Sequence, residues 1–218
     1  MPSELQLELV GEQVSILAEK ALYWPREATL FVADVHLGKD SAMVASGIPV
    51  PLTASVETLS QLSSVMNLTH CQRLVILGDL WHHSLGRTPR IYSEFLAWRR
   101  RHIGIDVILV EGNHDIKSGR LTEEANVQEV PECFSLGPFS LCHFPQRCSN
   151  GFGLAGHIHP AVTLQGKGRQ ALTLPCLYIR EDFAVLPAFG QFTGCGTVEP
   201  TGQDRVYVFA DQQVLQVA

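Results

Sequence analysis

One after another, short apolar runs in this sequence end in residues of the kind that bind metals. Leu30-Phe31-Val32-Ala33 leads into Asp34-Val35-His36, Leu74-Val75-Ile76-Leu77 into Gly78-Asp79, and Val107-Ile108-Leu109-Val110 into Gly112-Asn113-His114-Asp115. Phe139-Ser140-Leu141-Cys142 stands before His143, and Phe152-Gly153-Leu154-Ala155 before Gly156-His157-Ile158-His159. Such runs predict buried strands. Between the early ones, Leu52, Val56, Leu59, Leu62 and Met66 repeat at helical spacing. Thr88-Pro89 predicts an N-cap followed by proline at the first helical position, opening a helix that buries Ile91, Phe95 and Trp98. Strand, polar cluster, helix, repeated, is α/β architecture, and its ligands gather beyond the carboxyl ends of the strands.

His157-x-His159 is the most informative of these clusters. In an extended segment, side chains two residues apart point the same way, roughly 6–7 Å apart along the backbone. Two imidazoles so placed can bracket a pair of metal ions about 3.5–4 Å apart. Alone, the pair also reads as two surface histidines in a strand. The rest of the chain decides between these readings: of nine histidines, only His70 and His102 lie outside the clusters or their immediate neighbourhood.

The remaining segments fit one domain over 1–218, the whole of a 218-residue chain. Residues 5–17 alternate around Gly11-Glu12, predicting a hairpin. Residues 38–51, with Gly47, Pro49 and Pro51, predict a loop or a short turn of helix over the site. After residue 160 the chain is β-rich, with runs at 172–174, 177–179, 183–186, 206–209 and 214–217, and the Gly-rich stretch 189–196 predicts an irregular loop. No apolar run approaches the roughly 20 residues of a membrane span, and Met1-Pro2-Ser3-Glu4 lacks the basic start and apolar block of a signal peptide. The six cysteines contain no Cys-x-x-Cys pair and read as reduced core or near-core thiols, which points to the cytoplasm; a disulfide framework is the alternative. A net charge of −6 argues against a broad basic surface for nucleic acid, though not against a small cationic site.

Taken in order, Asp34-x-His36, Gly78-Asp79, Gly112-Asn113-His114-Asp115, His143 and Gly156-His157-x-His159 closely resemble the motifs of the calcineurin-like metallophosphoesterase superfamily. That resemblance spans residues 34–159 and implies a four-layer αββα sandwich with mixed β-sheets and two divalent metal ions. It assigns Asp79 as the shared carboxylate, which offsets the mutual repulsion of two cations. Asp34, His36 and His159 complete one ion's protein ligands, and Asn113, His143 and His157 the other's. Gly78 and Gly112 let the backbone come close to the ions. Nitrogen and oxygen ligation without thiolate suits Mn²⁺, Fe²⁺ or Zn²⁺, with Mn²⁺ favoured. Read singly, Asp34 and Asp79 fit turn or cap residues and His143 a core histidine. One departure is Phe144-Pro145 after His143, where the superfamily commonly has glycine.

The resemblance implies hydrolysis by a two-metal-activated hydroxide. His114 is placed to give a proton to the leaving oxygen, and Asp115 either orients its ring or makes a plain structural hydrogen bond. Repair nucleases of the SbcD type carry a histidine three residues after the bridging aspartate, a place matched by His82. His83 has no such match and reads as exposed, and Trp81 as core. Closer still, Ala21-Leu22-Tyr23-Trp24-Pro25, His36-Leu37-Gly38-Lys39, Gly47-Ile48-Pro49-Val50-Pro51 and Leu186-Pro187-Ala188-Phe189-Gly190 resemble the bacterial ligase-associated DNA damage response endonucleases of the PdeM family. That family implies a DNA phosphodiester substrate and an association with a DNA ligase and a helicase. Lys39 is either a phosphate contact or a solvated lysine, and Arg99-Arg100-Arg101 are expected to favour the helix dipole and face water. Two other readings stand beside DNA cleavage. One is the same site acting on a small phosphodiester or phosphate substrate, such as a cyclic nucleotide or nucleoside polyphosphate. The other is a non-catalytic interaction module on this fold.

Overall fold

The expected hairpin is present: β1 (Glu4–Leu9) and β2 (Glu12–Leu17) pair antiparallel, with Leu7 opposite Val14. The structure is a computed structural model that describes residues 4–168 and 170–218; residues 1–3, on which the reading of the N-terminus rests, lie outside the described residues. Next come β3 (Ala21–Trp24) and β4 (Thr29–Val32), and from β4 onward the pairing turns parallel through β5 (Arg73–Ile76), β6 (Asp106–Val110) and β7 (Gln128–Val130). The strands of this first sheet lie side by side in chain order. Its crossovers carry helices: α1 (Lys39–Ala45) and α2 (Ala54–Thr69) between β4 and β5, then α3 (Pro89–Arg101) between β5 and β6. A last short helix, α4 (Asn113–Ser118), follows β6.

The side-chain alternation of β4, β5 and β6 separates two apolar layers. Leu30, Val32, Leu74, Ile76, Val107 and Leu109 face α2 and α3, where they meet Leu62, Met66, Phe95 and Trp98. Phe31, Val75, Leu77, Ile108 and Val110 face the other way, into the layer shared with the second sheet. Helix α3 begins as the sequence predicts, with the Thr88 hydroxyl accepting from the Ile91 amide and Pro89 at the first position. In α2, Leu59, Leu62 and Met66 turn inward, whereas Val56 is exposed; Leu52, expected in the same helical repeat, lies exposed in the turn before it.

The second sheet is built from β8 (Phe134–Leu136), β9 (Phe139–Leu141), β10 (Phe152–Ala155), β11 (Pro160–Gln165), β12 (Ala171–Ile179), β13 (Phe183–Val185), β14 (Gly196–Thr197), β15 (Arg205–Ala210) and β16 (Gln213–Gln216). It is mixed: β10 runs parallel to β9 and β13, while β12 is antiparallel to β11, β13 and β15. The two runs expected at 172–174 and 177–179 are one continuous strand. Leu177 and Ile179 of that strand enter the layer between the sheets, and Cys176 and Tyr178 the opposite face.

An α/β sandwich of mixed sheets is therefore observed, with one difference from the four-layer expectation. Among the described residues no helix follows Ala125, so helices cover only the first sheet. The outer face of the second is covered by its own Val162, Tyr178, Val206 and Val208 together with partly buried Leu164, Leu174 and Leu215. The antiparallel links around β12 need no crossover helix, and the parallel step from β9 to β10 is made by an irregular loop.

Arg99 also departs from expectation. It is 1% exposed, and its guanidinium donates to the carbonyls of Ala125, His102, Ile105 and Asn126. The periodicity of α3 places it on the inner face beside Trp98, where a planar fork of donors can serve several carbonyls at once. Arg100 and Arg101 are exposed as expected.

Candidate metal centre

Past their last ladder residues, β4 and β5 stay joined by single bonds: Asp34 N donates to the Gly78 carbonyl (3.2 Å), His36 N to Asp79 (2.9 Å) and Leu37 N to Leu80 (2.8 Å). Within this stretch Asp34 (φ 53°), His36 (φ 50°) and Asp79 (φ 53°) all hold left-handed backbone, as do His157 (φ 70°) and His159 (φ 47°) on the facing sheet. Each such non-glycine residue costs about 1–3 kcal/mol and persists only where its surroundings over-determine it. The left-handed residues end the strands abruptly and turn the side chains out of the pleat. This corrects the extended geometry expected of His157-x-His159: Ile158 N donates to the Gly156 carbonyl in a bend (2.9 Å), and the two rings diverge.

The divergence serves two clusters. Asp34, His36 and His159 offer ligand atoms within 4.8 Å of one another, and so do Asp79, His143 and His157. In the first, His36 Nε2 and His159 Nε2 lie 3.2 Å apart, and His159 Nε2 is 3.5 Å from Asp34 Oδ1. In the second, His143 Nε2 is 3.0 Å from both Asn113 Oδ1 and His157 Nδ1. Asp79 stands between them, with Oδ1 3.5 Å from His143 Nε2 and Oδ2 3.9 Å from His36 Nε2. The structure thus gathers all seven expected ligands at one rim, partitioned as the family resemblance implies.

The donor set fits divalent cations. His143 Nδ1 donates to the Leu77 carbonyl (3.1 Å) and His159 Nδ1 to the Gly194 carbonyl (2.9 Å), so in the neutral rings that bind metal both Nε2 atoms are bare lone pairs. The bare Nε2 of His143 faces the amide oxygen of Asn113, and that of His159 faces His36. Acceptors as close as His143 Nε2 and Asn113 Oδ1 repel one another unless a cation lies between them. Asp34 Oδ1 and His36 Nδ1 are buried with no hydrogen-bond partner among the described residues. These seven side chains could hold two ions such as Mn²⁺, Fe²⁺ or Zn²⁺.

Burial governs the protonation of the ion-free cluster. It lowers His36 to about 2, helped by the neighbouring charge of His159, so the imidazole stays a neutral ligand. Burial also raises Asp79. For His159 burial acts downward, but the negative charge of Asp34, with Oδ1 3.5 Å from Nε2, outweighs it and the net shift is upward.

Three further expected residues line the same rim. The His114 ring approaches closely the backbone carbonyl of His82 through Nδ1, leaving Nε2 on the side of Asp79, 3.9 Å from Oδ2. The His82 ring stacks on it, with centroids 5.2 Å apart and planes 19° apart, and burial together with the charge of Lys39 lowers His82 to about 4. Lys39 is half-buried at the start of α1, and its charge opposes protonation of His36, His82 and His159. Its own pKa is lowered, by burial first.

Asp115 does something other than orient His114. Its carboxylate accepts from Trp81 N (3.0 Å) and Gly112 N (3.1 Å), tying together the loops that follow β5 and β6. No hydrogen bond joins it to the His114 ring among the described residues; one step along α4, its side chain points inward while His114 points to the rim. Burial pushes Asp115 up to about 7. Trp81 is core and His83 exposed, as expected.

The glycines act differently from the expected approach of backbone to ion. A Cβ on Gly78 would overlap the His143 ring, and one on Gly112 the Asp79 carboxylate, so each glycine makes room for a ligand side chain. The carbonyls of Leu77, Gly194 and His82, which orient three of the rings, were invisible in the sequence. So was Glu132, whose carboxylate accepts from the amides of His143 and Phe144 and from Gln146 Nε2. A carbonyl has no residue type, and nothing in the spacing ties Glu132 to His143.

Residues 28–190 match the family described as calcineurin-like phosphoesterase. Among solved structures, that of Pseudomonas putida nuclease MPE has a TM-score of 0.87 and 36% sequence identity, covering 98% of this chain and 100% of that one. Yfce, a phosphoesterase from E. coli, gives a TM-score of 0.43 and 14% identity over 87% of this chain and 98% of its own. No curated protein matches the chain.

Proposed function

The chain belongs to the calcineurin-like phosphoesterase family and is a metal-dependent phosphoester hydrolase, and from that premise we propose that it is an endonuclease cleaving DNA phosphodiester bonds in the response to DNA damage. The observation that carries this reading is the 36% identity over nearly the whole chain with a protein described as a nuclease. The PdeM-like segments and His82 support it, and with them an association with a DNA ligase and a helicase in the cytoplasm.

Two divalent ions, which we take to be Mn²⁺, supply Lewis acidity toward a phosphate oxygen and toward water when bound. Asp34, His36, Asp79, Asn113, His143, His157 and His159 hold them. Lys39 receives a non-bridging phosphate oxygen from the mouth of α1. His114 carries its ring proton on Nδ1, against the His82 carbonyl, when neutral; protonated on Nε2 as well, it donates that second proton to the departing 3′ or 5′ oxygen. His82, neutral near pH 7, braces this ring by stacking and narrows the approach to it. Two depressions flank the centre, one lined by Lys20, His159, Phe192 and Thr193, the other by Met43, Ile48, His82 and Leu85. They give a strand a path on either side of the scissile bond.

The acidic net charge of −6 favours a second reading, a small phosphodiester as the natural substrate. Purified protein with Mn²⁺, assayed on supercoiled plasmid, bis-p-nitrophenyl phosphate and a phosphomonoester, separates the two. Plasmid nicking lost in Asp79→Ala supports the endonuclease. Brisk diester turnover without nicking replaces it with the second reading.

A further inference from the structure

A third cluster of ligand atoms lies outside the centre described above. The sulfurs of Cys133, Cys142 and Cys148 form a triangle, with Cys133–Cys148 at 3.1 Å, Cys142–Cys148 at 3.2 Å and Cys142–Cys133 at 3.6 Å. The sequence conceals it, because the spacing follows none of the familiar paired-cysteine patterns. Three segments bring the thiols together: the turn between β7 and β8, the end of β9, and the loop leading to β10.

We propose that these thiols form a structural site for one thiophilic cation, Zn²⁺ in the first instance. A disulfide draws two sulfurs to about 2.05 Å and leaves a third out. Here each sulfur has both others as near neighbours, a triangle somewhat tighter than the edges of about 3.8 Å that three ligands form on one face of a tetrahedron with metal–sulfur bonds of about 2.3 Å, so an outward shift of a few tenths of an ångström per sulfur seats the ion. Cys142 is fully buried, while Cys133 and Cys148 are half-buried, so the fourth position opens toward solvent. Binding converts three thiols to thiolates and releases three protons.

The surroundings are built to hold the triangle. Cys133 takes left-handed backbone (φ 59°), a conformation a non-glycine residue keeps only where its neighbours fix it. The Asn150 amide donates to Ser135 Oγ (2.7 Å) and its oxygen accepts from Ser140 Oγ (3.1 Å), closing the loop that carries Cys148. A bridge between Cys148 and Gly151 closes it further. Cys142 directly precedes His143 and, by the alternation of an extended segment, turns to the opposite side. A cation on the sulfurs therefore pins the backbone that presents His143 to the dinuclear centre, without itself touching substrate.

Cobalt tests the site apart from activity. The dinuclear centre offers only nitrogen and oxygen, so a thiolate-to-cobalt charge-transfer band in the near ultraviolet can arise only from cysteines. The reduced full-length chain titrated with Co²⁺ is expected to develop this band and to lose it on addition of Zn²⁺. Cys195→Ser, at an exposed cysteine elsewhere, is expected to keep the band, and Cys133→Ser and Cys148→Ser to abolish it. Should Cys133→Ser not fold, Cys148→Ser, in a surface loop, decides alone. The proposal is overturned by the absence of a band in the wild type, by a band that survives in Cys148→Ser, or by a native mass two hydrogens low from a disulfide within the triangle.

Discussion

Gly78 lies directly against the imidazole of His143, so closely that a Cβ at residue 78 would overlap the ring, and its φ of 83° disfavours any L side chain as well. Replacing it with alanine adds steric overlap to backbone strain. Gly78→Ala is expected to lose about 2 kcal/mol or more of stability in urea denaturation. The metal content of the purified variant is expected to fall too, because the ring that moves is a ligand. A variant with wild-type stability and metal content would show that His143 has room to shift.

Seven ligand side chains converge on one rim, and removing the ions leaves the acceptors His143 Nε2 and Asn113 Oδ1 facing each other. A chelator is expected to lower the melting temperature and Mn²⁺ to restore it, by about 2.7 kcal/mol at a hundredfold excess over the dissociation constant. Asp79→Ala is expected to abolish hydrolysis and make the melting temperature of chelator-treated protein indifferent to added Mn²⁺. An Mn²⁺ response surviving in that variant would move the shared carboxylate to another residue.

In metal-free protein, His36 and His82 have folded pKa values of about 2 and about 4, below the ordinary 6.5. A depressed value means that the unfolded chain takes up protons first, so the stability these groups contribute is present above pH 6.5 and is lost on acidification. For His82 the loss runs from pH 6.5 down to about 4. His82→Asn is expected to soften the fall in melting temperature between pH 7 and 5; an unchanged slope would place that loss elsewhere.

Asp115 has the opposite sign. Its folded value of about 7 lies above the ordinary 3.8, so its contribution is complete below pH 3.8 and disappears as pH rises through about 7. Each tenfold change in proton affinity is worth about 1.4 kcal/mol, so the effect amounts to a few kcal/mol. Measured against Asp115→Asn, which removes this contribution and keeps those of His36 and His82, chelator-treated wild type is expected to lose stability between pH 5.5 and pH 8. A variant with the same pH profile as the wild type would remove Asp115 as the cause.

Removing the Arg99 fork strands the carbonyls it serves at the end of α3. Arg99→Ala is expected to cost about 3 kcal/mol in urea denaturation, and Arg99→Lys to recover only part of it, because an ammonium cannot reach four carbonyls in one plane. Full recovery by lysine would make the charge, rather than the fork, the stabilising feature.

What could be read in the sequence was whatever has a residue type and a period. Thr88-Pro89 marks the start of α3, the alternation around Gly11 marks the hairpin, and each apolar run before a ligand marks a strand. The seven ligands were legible because their side chains are themselves the signal. The backbone on which they sit was not: left-handed Asp34, His36, Asp79, His157 and His159 are fixed by contacts between two sheets, which no local propensity encodes. Arg99 was misread for a related reason, since a basic run at a helix end looks solvated until the partner loop is in place. The thiol triangle stayed hidden because Cys133, Cys142 and Cys148 meet only once β9 and β10 have paired.

The first sheet supplies Asp34, His36, Asp79 and Asn113 to the rim, and the second His143, His157 and His159. Ions seated there act as a clasp across the seam, so any event that pries the layers apart also ejects the cargo. Chemistry and layer docking then share one latch: hydrogen exchange in β9 and β10 should slow when Mn²⁺ is added, and the catalyst disarms itself before it comes undone.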